Sequence, residues 1–205
     1  MTNSSRIQFV VWAGLGIVIA AILAAFVASR VHVNPLPVYS DVPQFTLTNQ
    51  DGGPVTLDSL RGQIWVADII FTRCPSQCLR LSTHMKELQA KLPKDIKLVS
   101  LTTDPSYDTP PILKKYAGNF STADNWLFLT GDKGMIKSVA VDGLKLSVQE
   151  TPENERENPN DLFIHSTKIV LVDPHGRVRG YFDGDDPQFA EQIQSSVRQL
   201  QKEQS

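Results

Sequence analysis

Cys74 and Cys78 are the two cysteines of this 205-residue chain, and they stand four positions apart. On a helix that spacing puts both on one face, about 6 Å from each other. Such a pair can close a disulfide or grip a soft metal ion through its thiolates. Two cysteines are too few for a disulfide framework or a four-cysteine zinc site, so they act as one unit. A purely structural bridge across so short a loop would add roughly 2 kcal/mol. Position favours chemistry instead. The pair follows a mostly apolar run at residues 64–71 and precedes a helical pattern at 79–92. The carboxyl end of a strand is where α/β sheets place their sites, and a helix N-terminus lowers thiol pKa.

Two thiolates leave most metals short of a ligand, so a histidine is the expected third. His32 lies in a Pro-rich tether, His84 is expected on the outer side of the helix after Cys78, and His175 sits in a turn with Gly176. His165 opens a predicted strand that this arrangement brings beside the first helical turn. From the residues alone His165 stays open between a ligand and a hydrogen-bonded strand-end residue. Asp104 and Asp108 are expected to cap the turn and helix that begin near Pro110.

The elements around the pair alternate. Residues 45–48 and 55–57 flank a polar Asn-Gln-Asp-Gly-Gly turn and predict a hairpin. Leu81, Met85, Leu88 and Leu92 have helical spacing, and residues 96–101 form the next strand. Pro110-Pro111 opens a helix through Tyr116 that Gly118 ends. A strand at 126–129, a short helix at 133–139, a hairpin at 169–172 and 178–182, and an amphipathic helix at 189–201 complete the chain. Residues 149–161 are rich in Glu, Asn and Pro without apolar periodicity and predict a solvated surface insertion. The order strand, cysteine pair, helix, parallel strand, terminal hairpin, helix describes an α/β thioredoxin-like fold, a central mixed sheet flanked by helices, with an N-terminal hairpin extension.

Composition narrows the class further. Twenty Lys and Arg against 22 Asp and Glu give a net charge of -2, with basic residues scattered, so no nucleic-acid footprint is present. From Phe9 to Ser29 no residue is charged. About 20 such residues span a bilayer, and the run exceeds a signal-peptide h-region, so an uncleaved single-pass anchor is expected. The expected organisation is a tip and transmembrane anchor at 1–30, a linker at 31–40 and a globular domain at 41–205. The expected location is a bacterial inner membrane with the domain on the extracytoplasmic side, although Arg6 on one flank and Arg30 and His32 on the other orient it weakly.

Several segments, in order, resemble the Sco/SenC family. They are Phe71-Thr72-Arg73-Cys74-Pro75-Ser76-Gln77-Cys78, Thr103-Asp104-Pro105-Ser106-Tyr107-Asp108-Thr109-Pro110, His165-Ser166-Thr167 leading to Asp173-Pro174-His175-Gly176, and Tyr181-Phe182-Asp183-Gly184. The resemblance spans roughly residues 40–200 and implies a domain binding one copper ion through Cys74, Cys78 and His165. It implies delivery of that copper to the dinuclear copper centre of a cytochrome c oxidase subunit, after receipt from a donor protein, or reduction of that centre's cysteines. Two thiolates and an imidazole suit both Cu(I) and Cu(II), with zinc as the rival metal. The alternative function is a thiol-disulfide oxidoreductase in which Cys74 attacks, Cys78 resolves and His165 is dispensable. In an oxidising compartment without copper a Cys74–Cys78 disulfide is expected. One position departs from the family: Leu79 stands where a proline usually follows the second cysteine.

Overall fold

The computed structural model describes residues 3–31, 34–74, 77–120, 124–156 and 162–203. His32, Pro75, Ser76 and the end of the acidic insertion, 157–161, lie outside these. The chain divides into two units, residues 36–201 and residues 1–35 with 202–205. The smaller unit carries helix α1 (Asn3–Val31), which has no polar stripe. Its segment Ile7–Ala24, of mean hydropathy 2.4, is long and apolar enough to cross a membrane.

The larger unit begins with strands β1 (Ser40–Asp41), β2 (Thr46–Asn49) and β3 (Pro54–Thr56) and the short helix α2 (Leu57–Leu60). The Thr56 hydroxyl accepts the Ser59 N–H while Ser59 Oγ accepts the Thr56 N–H, a reciprocal cap that starts α2. Strands β4 (Trp65–Ile70), β5 (Lys97–Thr102) and β6 (Trp126–Thr130) alternate with helices α3 (Gln77–Lys91) and α4 (Pro110–Gly118). Helix α5 (Lys133–Lys137), started by the Asp132 carboxylate on the Met135 N–H, runs into a π-helical turn at Ser138–Gly143. Strands β7 (Val148–Glu150), β8 (Phe163–His165), β9 (Lys168–Val172) and β10 (Arg177–Asp183) lead to helix α6 (Phe189–Glu203).

One eight-stranded sheet holds the order β1-β10-β9-β4-β5-β6-β2-β3. The β4-α3-β5 and β5-α4-β6 crossovers make its centre parallel, while β9, β10, β1 and the β2–β3 hairpin add antiparallel edges. This is the thioredoxin-like mixed sheet that the alternating pattern predicts. Every residue of β4 is buried, because both faces are covered. Val66 and Ile70 face the core under α3, α4 and α6, where Leu81, Met85, Leu88, Leu113 and Ile193 pack. Trp65, Ala67 and Ile69 face the opposite core, closed by α2, α5 and the π-helical turn.

The start of the acidic insertion forms a strand that its composition does not predict. Val148, Gln149 and Glu150 pair with His165, Ile164 and Phe163 in a separate two-stranded sheet, and Thr151 is buried. A three-residue edge strand has no room for a detectable period of two, so composition alone called for a loop.

Close packing beside α3 gives a direct test of this arrangement. A Cβ at Gly184 would lie 2.5 Å from Leu81 Cδ1 and 2.8 Å from the Thr167 carbonyl oxygen. The backbone cannot yield as a side chain can, so Gly184→Ala is expected to lose about 1–3 kcal/mol in urea unfolding. An unchanged midpoint would contradict this contact.

Candidate metal centre

The site grows from the end of β4. After Ile70 the chain turns, with the Cys74 N–H on the Phe71 carbonyl (3.2 Å), and re-enters as α3 at Gln77. The first N–H groups of a helix lack intrahelical acceptors. Here the Cys78 N–H donates to Cys74 Sγ (3.3 Å), so the first cysteine's sulfur serves as an acceptor for the helix start. Both cysteines are thiols, Cys74 8% exposed and Cys78 fully buried, within the core that contains Phe71, Leu81 and Met85.

Burial splits their chemistry. A hydrogen bond to Cys74, desolvation, and the negative charge that Cys74 acquires first together push the Cys78 thiol far above its usual range. Cys74 has an N–H aimed at its sulfur and is the more exposed of the two, while Cys78 holds its proton.

Two further groups brace the loop, and neither is obvious from sequence. The Asp108 carboxylate accepts from the Thr72 N–H (3.1 Å), the Thr72 hydroxyl and the Thr102 hydroxyl (2.5 Å). It therefore ties the ends of β4 and β5 together two residues before Cys74. The capping role expected of Asp108 is corrected here: its carboxylate bonds the strand ends, and the N-cap of α4 is Thr109, with no side-chain capping bond. Asp104 does brace the turn, by accepting from the Ser106 hydroxyl (3.0 Å). Burial raises the Asp108 pKa, with the three donors opposing that shift. Arg73 pairs with Asp104 through Nη2 (2.5 Å) and Nε (3.2 Å) and lies 4.2 Å over the Tyr107 ring. Arg73, the residue before Cys74, is thus held by Asp104 and Tyr107.

Beneath Cys78 the core is polar where an apolar run predicts none. Asp68, fully buried on β4, accepts from Ser100 Oγ (2.5 Å), which accepts from Trp126 Nε1 (2.9 Å). Tyr116 meets Ser82 (2.9 Å) and donates to the Cys78 carbonyl (3.3 Å). Desolvation raises the Tyr116 pKa, as do the charges of Cys78, Asp68 and Cys74. The one signal in sequence is a carboxylate inside an otherwise apolar strand.

The histidines separate. His84 is half-buried rather than outward: its Nδ1 is 2.7 Å from the Gly184 carbonyl and its ring tilts on Phe189 at 5.5 Å. Helix α6 covers that face of α3, which sequence spacing does not reveal. His175 stays in its turn between β9 and β10, where its N–H donates to Asp173. His165 closes β8 instead of opening a longer strand, opposite Val148. Its side chain lies outside the described part of the structure. Phe163, two residues earlier, packs edge-on against Phe71 at 5.3 Å, so β8 runs beside the segment that leads to Cys74. Leu79, the position that departs from the family pattern, is 44% exposed beside the pair.

The comparisons with known proteins converge on this unit. The SCO1/SenC family model matches residues 37–201, which contain the whole sheet and both cysteines. The chain belongs to the SCO1/SenC family. It is 40% identical over 153 residues to the SCO1 protein homolog of Bacillus subtilis, covering 72% of this chain and 76% of that one. Among solved structures it is similar to BsSco, described as a Sco-family cytochrome c oxidase assembly protein with a disulfide switch. That similarity has 35% identity and a TM-score of 0.68, over 82% of this chain and 98% of the other. The copper-bound structure of yeast Sco1 shares the fold at 24% identity and a TM-score of 0.61, over 78% and 90% of the two chains.

Proposed function

We propose that this chain is a membrane-anchored copper metallochaperone that carries one copper ion on Cys74, Cys78 and His165 to the dinuclear copper centre of cytochrome c oxidase. The observation that supports it most is the pair of buried thiols at the β4–α3 junction, with the Cys78 N–H on Cys74 Sγ (3.3 Å). Two sulfurs at that spacing suit soft Cu(I), and the surrounding side chains limit access of water and oxygen. An imidazole from His165 would complete a set that also tolerates Cu(II). Helix α1 would hold the domain at the outer face of a bacterial inner membrane, where the oxidase copper centre and a copper donor can reach it. Anchor 1–30, linker 31–40 and domain 41–205 are the corresponding parts.

Titrating the full chain with copper tests the reading. One equivalent should bind tightly to wild type and none to the Cys74→Ser, Cys78→Ser double variant. His165→Ala should lose more than the roughly 10–100-fold that removal of an outer-shell partner costs a metal site. Wild-type affinity in His165→Ala would remove His165 from the ligand set. A chain that binds no copper at one equivalent would end the chaperone reading.

A second reading is supported by the unequal thiols. Cys74 receives an N–H and borders solvent while Cys78 keeps its proton, which suits attack by Cys74 and resolution by Cys78 on the cysteines of a partner. Disulfide reductase activity retained in His165→Ala would favour it.

A further inference from the structure

A groove starts at the surface between α5 and the β7–β8 ribbon and leads toward the cysteine loop. Its outer part is a cavity of about 460 Å³ with an apolar floor of Ile136, Ala140, Val148 and Phe163. A smaller cavity of about 150 Å³ shares Thr103, Lys133, Glu150 and Phe163 with it and continues to Arg73, the residue before Cys74. Lys133 on α5 forms an ion pair with Glu150 on β7 across this groove, and Arg73 pairs with Asp104 at its inner end. Those two pairs neutralise the Glu150 and Asp104 carboxylates of the groove. Lys137 on the outer rim and Arg156 on the inner cavity remain, and among the described residues neither forms an ion pair. In a chain of net charge -2, four basic side chains against two carboxylates line this apolar-floored channel, which ends at Arg73, the residue before Cys74.

We infer that this groove seats a segment of the copper acceptor that presents an apolar side chain flanked by carboxylates. The inference rests on the proposed copper transfer and specifies how the acceptor is recognised. The apolar side chain fills the cavity over Ile136 and Ala140 and displaces water from it. Its carboxylates meet Lys137 and Arg156, and one of them competes with Glu150 for Lys133. Exposed ion pairs such as Lys133–Glu150 are worth little and exchange readily, so this contact opens without unfolding its neighbours. Positive charge along the groove also steers an acidic acceptor toward the thiols, an effect that weakens as salt is added. Because the inner cavity reaches Arg73, docking here brings the acceptor to the loop that carries Cys74.

The test uses the full-length chain in detergent, loaded with one Cu(I), and copper-depleted cytochrome c oxidase as acceptor. Transfer rate is followed against acceptor concentration at low and high ionic strength. The Lys137→Glu, Arg156→Glu double variant should raise the half-saturating acceptor concentration about tenfold at low salt and flatten the salt dependence. Its maximal transfer rate, copper stoichiometry and urea midpoint should match wild type. Lys86→Glu, Lys94→Glu makes the same change in net charge at the opposite end of the parallel strands, where those lysines border another cavity. That control should transfer copper like wild type. Ala140→Met, which fills the floor, should raise half-saturation while leaving the salt dependence intact. Equal half-saturation for the groove variant and wild type, or equal losses in the groove and control variants, would overturn the groove assignment and leave the copper reading standing. A wild-type chain that binds copper yet transfers none would defeat the proposed transfer and the groove together.

Discussion

Cys78→Ser should abolish copper binding at one equivalent while leaving the fold intact, and wild-type copper affinity should climb with pH. Serine is nearly isosteric with cysteine, and the Cys78 N–H that donates to Cys74 Sγ belongs to the backbone, so the helix start survives. A hydroxyl is a hard, weakly acidic donor and does not replace a thiolate toward Cu(I). The pH dependence follows from the buried proton. Cys74's hydrogen bond, desolvation and Cys74's charge keep Cys78 protonated well past neutrality, so a metal must displace at least that proton. One proton released corresponds to about tenfold in affinity for each pH unit. Competition against a Cu(I) chelator across neutral pH measures the slope, and a flat profile would mean that Cys78 gives up no proton to the metal.

The same shift predicts how the metal-free protein responds to alkali. The folded-state pKa of Cys78 lies above the unfolded value, so the unfolded chain loses this proton first as pH rises. The stability associated with it is fully present below the ordinary thiol range, about 8.5, and is lost progressively above it. A copper ion held by Cys78 would remove the proton and with it this sensitivity. Urea midpoints of the metal-free chain should therefore decline above that range, and those of Cys78→Ser should decline less.

What could be read from sequence, and what could not, divides along the range of the interactions. Cys74 and Cys78 were legible because four-residue spacing at a strand-to-helix junction is a local pattern. So were β4, β5 and β6 as long apolar runs, and α3 through the spacing of Leu81, Met85 and Leu88. The braces around the site were not, because each joins segments far apart in the chain. Asp108 looks like a cap for the helix two residues ahead, yet it bonds Thr72, 36 positions earlier. His84 looks exposed until α6 covers it, since its acceptor Gly184 is 100 residues away. Asp68 breaks the apolar pattern of β4, but only the neighbouring strand supplies Ser100 to explain its burial. Strand β7 hid in an acidic stretch whose composition resembles a loop. Sequence thus identified the reactive pair, while the folded chain showed the carboxylates and arginine that hold it.

The second large effect lies at the far edge of the sheet. Arg179→Met should cost about 3 kcal/mol, the lower end for breaking a buried ion pair by removing one partner. Arg179 on β10 is 5% exposed and uses its whole guanidinium. Nη1 reaches Asp173 Oδ2 (2.8 Å), Nε the Pro37 carbonyl (3.1 Å) and Nη2 the Leu36 carbonyl (2.7 Å). It therefore fastens the segment entering β1 to the same carboxylate that organises the β9–β10 turn. Burial alone would raise the Asp173 pKa. Side-chain and backbone bonds from Arg177, the Arg179 guanidinium and the His175 N–H outweigh it and hold the carboxyl below its usual range. Methionine keeps the apolar stem but strands two carbonyls and leaves Asp173 with Arg177 as its guanidinium partner among the described residues. Arg177 is the reason the loss stays at the lower end. A depressed folded pKa contributes stability that is present above the ordinary carboxylate range and lost as pH falls through it. The Arg179→Met chain should accordingly lose less stability on acidification than wild type. Combined with Asp173→Asn the two losses should fall short of their sum, since both act on one network. Full additivity in urea unfolding, or a loss below about 1 kcal/mol, would show that this arginine behaves as a surface charge despite its burial.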